Sequence, residues 1–267
     1  MSNRIDAAFD ALRASQKRAF IAYICCGDPD LSSTVELALA LEEAGVDLIE
    51  LGIPFSDPLA DGLVNQLAAQ RALEAGMTTA GVLETIRNIR RHSEIPLVLF
   101  TYLNPVYAYG FTGFDRDAAE AGADGILILD LPPDEAARHA ELSGQRALRQ
   151  IRLIAPTTPR ERIAVIAAAS QGFIYYVSRE GVTGEQDSIA LTIGDQLALI
   201  RAAAATPVAV GFGIHTPDQA RRVAALADGV VVGSAIVRRI AEHGRGPGLA
   251  AAVREFVNPL VEAVKSI

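Results

Sequence analysis

Three carboxylates lie close together in this chain, Glu50, Asp57 and Asp61, and their setting suggests proton chemistry. Glu50 stands where an apolar run, Val46–Ile49, reads as the end of a buried strand. Asp57 and Asp61 follow on a loop stiffened by Pro54 and Pro58. Strand ends and the loops after them carry the chemistry of α/β proteins. A carboxylate leaving a hydrophobic strand is costly to bury, so it needs either a salt partner or a task. General acid–base catalysis is such a task, because an apolar surrounding tunes the carboxyl toward neutral pH. Taken singly, each residue also has a plain reading: Glu50 as a strand-end charge held by an arginine, Asp61-Gly62 as a turn, Asp57-Pro58 as loop-shaping.

Three glycine loops add a second kind of chemistry. Gly181-Val-Thr-Gly184, Gly211-Phe-Gly-Ile214 and Gly233-Ser234 follow the last three apolar runs of the chain, and Ser234 opens a short helical run, Ala235–Ile240. Glycines let backbone N–H groups approach phosphate oxygens, and a helix N-terminus adds positive potential. One Gly-x-Gly is weak evidence, since turns use it too. Three such loops after consecutive strands predict a phosphate cradle, the place where barrel enzymes often hold that group. No lysine lies in these loops, so amides and a hydroxyl are expected to hold the phosphate.

The elements that must position these groups alternate along the whole chain. Strand candidates are Phe20–Cys25, Val46–Glu50, Leu97–Thr101, Gly125–Leu129, Ile151–Ile154, Phe173–Val177, Val208–Val210 and Gly229–Val232. Most are continuous apolar runs, which suit parallel strands covered on both faces. Helical stretches fall between them: Ser32–Ala44, Val64–Ala75 with Thr79–Arg91, Pro133–Leu142, Arg160–Ala169, Ile193–Ala204 and Pro217–Leu226. Asp30-Leu-Ser-Ser, Thr158-Pro159 and Thr216-Pro217 offer capping residues. Ala44-Gly-Val-Asp47 and Ala121-Gly-Ala-Asp124 precede two of the strands, with a weaker echo in Ala227-Asp-Gly-Val230. An open doubly wound sheet would also alternate, but eight β/α units favour closure. The expected fold is α/β, a TIM-type (β/α)8 barrel with an extra N-terminal helix, as one domain over residues 1–267.

With 267 residues and 50% hydrophobic content, the chain has enough material for one large core. A formal charge of −8 with scattered Lys and Arg argues against a nucleic-acid partner. No apolar run is long enough to span a membrane, and the amphipathic N-terminus lacks a signal-peptide core. The two cysteines, Cys25 and Cys26, are neighbours and give neither a disulfide framework nor a zinc site. The four histidines show no ligand spacing. A reduced, soluble, cytoplasmic protein is expected.

The residues together resemble one family, the α subunits of tryptophan synthase. The resemblance runs through Phe20 to Gly27-Asp-Pro29, the Glu50–Gly62 segment, Tyr102-x-Asn104-Pro105, Asp124-Gly and Asp130-Leu-Pro132. It continues through Ser178-Arg-x-Gly-Val-Thr-Gly184, Gly211-Phe-Gly213 and Gly233-Ser-Ala-Ile-Val237, covering essentially the whole chain in order. It implies retro-aldol cleavage of indole-3-glycerol phosphate to indole and glyceraldehyde 3-phosphate, with no metal or organic cofactor. It implies that Glu50 is the acid–base group, that Asp61 bonds the indole N–H, and that Tyr175 lies near the reacting centre. The phosphate cradle would be Gly184, Gly213, Gly233 and Ser234, with Thr183 bonding Asp61 when loops close and Arg179 beside it. The segments Pro54–Gly62 and Arg179–Ser188 would be lids. Tyr23, Leu127, Leu129, Leu153 and Phe212 fall where an indole pocket is expected, though all five also suit an ordinary core. Asp57, Asn104 and Pro105 match the face that docks a β subunit in an α2β2 complex. Ala22, Cys25–Cys26 and the Glu185-Gln-Asp-Ser188 tail depart from the usual pattern. A stand-alone indole-releasing lyase and an idle scaffold are the competing readings.

Overall fold

Every residue of β1 (Ala19–Cys25) is buried, as befits a strand covered on both faces. The computed structural model describes residues 3–132, 135–136, 148–178, 186–211 and 213–267, with 186–192 described by backbone alone. The other strands are β2 (Leu48–Gly52), β3 (Leu97–Thr101), β4 (Gly125–Ile128), β5 (Arg149–Gln150), β6 (Arg152–Ile154), β7 (Ile174–Val177), β8 (Val208–Gly211) and β9 (Gly229–Val232). All eight strand pairings are parallel, in the order β5-β4-β3-β2-β1-β9-β8-β7-β6. The expected fifth strand is thus two short pieces either side of Ile151. The first pairs with β4 and the second with β7, and the Ile151 amide donates to the Ile126 carbonyl at 2.9 Å. The barrel closes through this one residue.

Helices cover the outside, and those among the described residues are α1 (Arg4–Ala14), α2 (Ser33–Glu43), α3 (Leu63–Glu74), α4 (Thr79–Arg90), α5 (Leu103–Tyr109), α6 (Phe111–Ala121), α7 (Arg160–Ala168), α8 (Gln186–Ala203), α9 (Pro217–Ala224), α10 (Ser234–His243) and α11 (Leu249–Lys265). Thr216 and Gln219 form a full capping box at the start of α9, with Pro217 in its first turn. The expected helix Pro133–Leu142 lies mostly outside the described residues. No helix among the described residues is long and apolar enough to cross a membrane.

Strand side chains alternate between two buried layers. Phe20, Ile49, Leu97, Leu99 and Val230 face the helices, whereas Ala19, Ile21, Leu48, Val98, Leu127, Ile151, Phe173, Ala209 and Val231 fill the barrel. Ile5 and Phe9 of α1 plug the lower end of that interior, with the Phe9 and Phe173 rings 5.8 Å apart. Gly125 is needed there, because a Cβ would meet Ile5 and Ile151 at 2.8 and 2.6 Å.

The repeated aspartates have one structural task. Asp47, Asp124 and Asp228 each precede a strand and accept the N–H of a residue beginning the strand beside it. The donors are Phe20 at 2.6 Å, Leu97 at 2.9 Å and Val208 at 2.9 Å.

Candidate active site

The two-residue alternation that fills the barrel also builds its mouth. Ile21, Leu48, Val98, Phe173, Ala209 and Val231 point inward, so Tyr23, Glu50, Phe100, Tyr175, Gly211 and Gly233 form the next layer up. Glu50 stands inside β2, two residues short of its end at Gly52, rather than at the strand terminus its sequence suggested. The strand starts later because Val46 and Asp47 are engaged elsewhere. The Val46 amide bonds back to Leu41, and the Asp47 carboxylate turns to Phe20. It runs further because Cys26 donates to Gly52 and Ile53 donates to Phe100.

A cavity of about 270 Å³ opens above Glu50, and its described lining includes Tyr23, Phe100, Tyr175, Gly213, Gly233 and Ser234. Glu50 is fully buried, and among the described residues neither of its carboxylate oxygens has a hydrogen-bond partner. Burial alone pushes its carboxyl up to about 8. Among the described residues, the arginine partner of the plain reading is not there. Tyr175 reaches across from β7, its hydroxyl lying over Gly211 so closely that a side chain at 211 would collide with it. Tyr23 does the same over Gly52, where a Cβ would meet the hydroxyl at 2.5 Å. Burial first holds both phenols well above the ordinary range, with Glu50 and Asp61 adding to it for Tyr175 and the Cys25 thiol ahead of them for Tyr23.

Asp61 closes the loop after β2. Its carboxylate accepts the Tyr102 hydroxyl at 2.8 Å and faces the Asn65 amide at 3.4 Å. Burial raises its carboxyl, against the lowering effect of those two bonds. Tyr102 also accepts the Ala60 N–H at 2.9 Å, so one phenol pins both ends of this turn. Tyr102 stood out in the sequence only as part of a motif; its place directly after β3 was the available sign. Gly62, Leu63, Val64 and Asn65 form the wall at this side, while Asp61 lies just behind it.

Gly213, Gly233 and Ser234, from the segments after β8 and β9, line the same cavity. Gly233 is the N-cap of α10 and supplies no side-chain bond; Ile236 and Val237 donate to its carbonyl at 2.8 and 3.0 Å, which leaves the Ser234 and Ala235 amides without an intrahelical acceptor. The structure adds a cation that the glycine loops gave no reason to expect: Arg238, four residues into α10, lines the same cavity. Gly184, Thr183, Arg179 and Phe212 lie outside the described residues. Of the expected indole pocket, Tyr23 lines the cavity. Leu127 sits one layer deeper in the barrel, and Leu129 packs against that layer. Leu153 pairs with Tyr175 across the β6–β7 ladder but is not in the described lining. Phe100 and Val231 complete the apolar wall and were not anticipated. Asn104 and Pro105 border a shallow cavity with Pro54, Phe55 and Ser56. Asp57 is exposed beside it, accepting the Ser56 hydroxyl.

Comparisons with known proteins agree with this arrangement. The family model described as "Tryptophan synthase alpha chain" matches residues 9–265. A tryptophan synthase alpha chain from Opitutus terrae is 53% identical over 245 residues, 92% of each chain. Another from Pelobacter propionicus is 45% identical over 98% of each. The crystal structure of tryptophan synthase subunit alpha from Legionella pneumophila superposes with a TM-score of 0.91 at 37% identity, covering 100% of both chains.

Proposed function

Since the chain belongs to the tryptophan synthase alpha chain family, we propose that Glu50, Asp61 and the Gly213–Gly233–Ser234 cradle act on one substrate spanning the mouth of the barrel. The protein cleaves indole-3-glycerol phosphate to indole and glyceraldehyde 3-phosphate, and a β subunit receives the indole. The observation that carries the residue assignment is Glu50, buried in the cavity with no partner for either oxygen among the described residues.

The reaction needs one proton placed on indole C3 and one taken from the glycerol hydroxyl next to it. Protonation at C3 leaves the positive charge on the ring nitrogen. Loss of the hydroxyl proton then forms the aldehyde, and the electrons of the breaking C–C bond return to the ring. With its carboxyl raised to about 8, Glu50 holds a proton at neutral pH and can deliver it to C3. The carboxylate it leaves can take the hydroxyl proton, so each turnover restores the starting state. Asp61, oriented by Tyr102, supplies a negative charge for the indole N–H as the ring becomes cationic. Tyr175, facing Glu50 across the mouth, helps shape the reacting end. The unpaired Ser234 and Ala235 amides and the Ser234 hydroxyl hold the phosphate. Gly184, with Thr183 and Arg179, would complete cradle and lid, and Phe212, Leu129 and Leu153 the pocket around the ring.

The face carrying Asp57, Asn104 and Pro105 is the proposed β-subunit surface, in an α2β2 complex. Leu59 and Leu63 are 93% and 69% exposed nearby, apolar area of the kind a partner covers. One domain over residues 1–267 and a cytoplasmic setting belong to the same reading.

The test is a coupled assay for glyceraldehyde 3-phosphate with and without a β subunit, on wild type and Glu50→Gln. Glu50→Gln should lose about 10² to 10⁴ in kcat, the usual cost of removing a general acid–base group. Near-normal turnover in that variant would sink the assignment.

A further inference from the structure

We infer that Arg238 is a substrate-binding residue that neutralises the phosphate of indole-3-glycerol phosphate, supplying the charge that the glycine cradle lacks. The inference rests on the cradle assignment above and extends it. α10 begins at Ser234, so Arg238 follows at i+4, on the same face and one turn further along. Helix side chains lean toward the N-terminus, which carries the guanidinium back over Ser234 and the free amides. Arg238 accordingly lines the cavity together with Gly213, Gly233 and Ser234. The same cavity holds the buried carboxyl of Glu50, which has no partner among the described residues, so the space is built for a ligand rather than left by loose packing.

The neighbouring arginine makes the contrast. Arg239 pairs with Glu242 at 3.7 Å and borders a separate cavity beside α11. Among the described residues, no carboxylate pairs with Arg238. The amides and the hydroxyl supply directional bonds but no formal charge, whereas a phosphate ester near pH 7 carries almost two negative charges. Asp61, just behind the Gly62–Asn65 wall of the same cavity, adds repulsion. A guanidinium at the rim offsets it and favours a charged end group over a neutral one.

Steady-state kinetics on the full chain with its β subunit would test this, using Arg238→Gln, Arg238→Lys, Arg239→Gln and Ser234→Asp. Arg238→Gln should raise KM about tenfold with a much smaller change in kcat, as loss of uniform binding does. Competitive inhibition by inorganic phosphate should weaken in parallel. Arg238→Lys should recover most of the effect, and Arg239→Gln, with the same change in net charge, should leave KM where it was. Wild-type KM should climb between about 50 and about 500 mM KCl, and that rise should flatten in Arg238→Gln, because the screened charge is gone. Wild-type KM and a wild-type salt response in Arg238→Gln would overturn the inference. If Ser234→Asp still raises KM in that case, the cradle stands without Arg238; if Ser234→Asp is also silent, the cradle reading fails as well.

Discussion

The two ends of this barrel bury the same functional group and treat it in opposite ways. At the lower end, Asp124 is 4% exposed and accepts from Arg4 at 3.0 Å, Arg90 at 2.8 Å and the Leu97 amide at 2.9 Å. At the upper end, Glu50 is 0% exposed and accepts from no described residue. Desolvation costs a carboxylate several kcal/mol unless charges or N–H groups replace its water. Asp124 has those replacements, so it stays in place as a brace. Glu50 has none, so its proton is held to about 8, within reach of neutral pH. Partnered carboxylates hold the barrel together, and an unpartnered one is left available for proton transfer.

The largest effects should separate these roles through Glu50. Glu50→Gln should nearly abolish cleavage and yet stabilise the fold at alkaline pH. Its carboxyl lies near 8 when folded and at 4.5 in its ordinary state, so the folded chain binds the extra proton between those values. That proton makes stability greatest at or below the lower value and lost as pH climbs to the upper one. Within the window the slope is about 1.4 kcal/mol per pH unit. Urea midpoints from pH 5 to 8.5 should therefore fall more steeply for wild type than for Glu50→Gln. Equal slopes would mean that Glu50 is charged in the folded protein and that the contrast between the two ends is false.

Asp124→Ala should show the reverse pattern. It leaves the Arg90 guanidinium, 10% exposed, and the Leu97 amide without their acceptor. Stripping one partner from a buried ion pair costs about 3–5 kcal/mol, visible as a lowered urea midpoint. The kcat of the remaining folded enzyme should be unchanged, and a selective fall in kcat would break the division of labour. Tyr102→Phe should fall between the two. It removes the hydroxyl from Asp61 and the acceptor for the Ala60 amide, a loss of about 1 kcal/mol. The expected reading is a drop of about fivefold in kcat/KM, with little change in melting temperature. An equal loss of both would make Tyr102 a brace rather than a positioning residue.

How much of this was legible depended on whether the signal was local. The limits Leu97–Thr101 and Gly229–Val232 hold to the residue, because continuous β-branched and leucine-rich runs are their own evidence. The split at Ile151 was invisible, since it arises from which neighbour each half pairs with. Helices α5 and α6 were also missed. Asn104-Pro105 and Gly110 look like loop residues, yet Pro105 falls in the first turn of α5, where no amide is needed, and Gly110 joins the helices at φ +98°. The C-terminal helix α11 carries Pro259 and was not anticipated either. In the site, Glu50, Gly213 and Gly233 drew notice because a carboxylate after an apolar run and a glycine-rich loop are local sequence patterns, although Glu50 lies inside β2 rather than at its end. Phe100 and Arg238 did not, and Tyr102 did only as part of a motif, because only the closed barrel brings them to the same mouth.

The smallest prediction asks what the three repeated aspartates are for. Asp228 is the most open of them, its side chain 36% exposed, and Arg201 approaches it only to 3.5 Å. A surface pair of that kind contributes about 0–1 kcal/mol, so its charge should matter little. Its 2.9 Å bond from the Val208 amide is the better candidate for the cause, because that amide starts β8 and has no ladder partner to replace the loss. Asp228→Asn keeps an oxygen acceptor and drops the charge, whereas Asp228→Ala drops both. The first should cost under about 0.5 kcal/mol and the second about 1 kcal/mol, each with full kcat. If the two variants are equally destabilised, charge rather than the strand amide fixes aspartate at this position, and the lower end is held together by ion pairs alone.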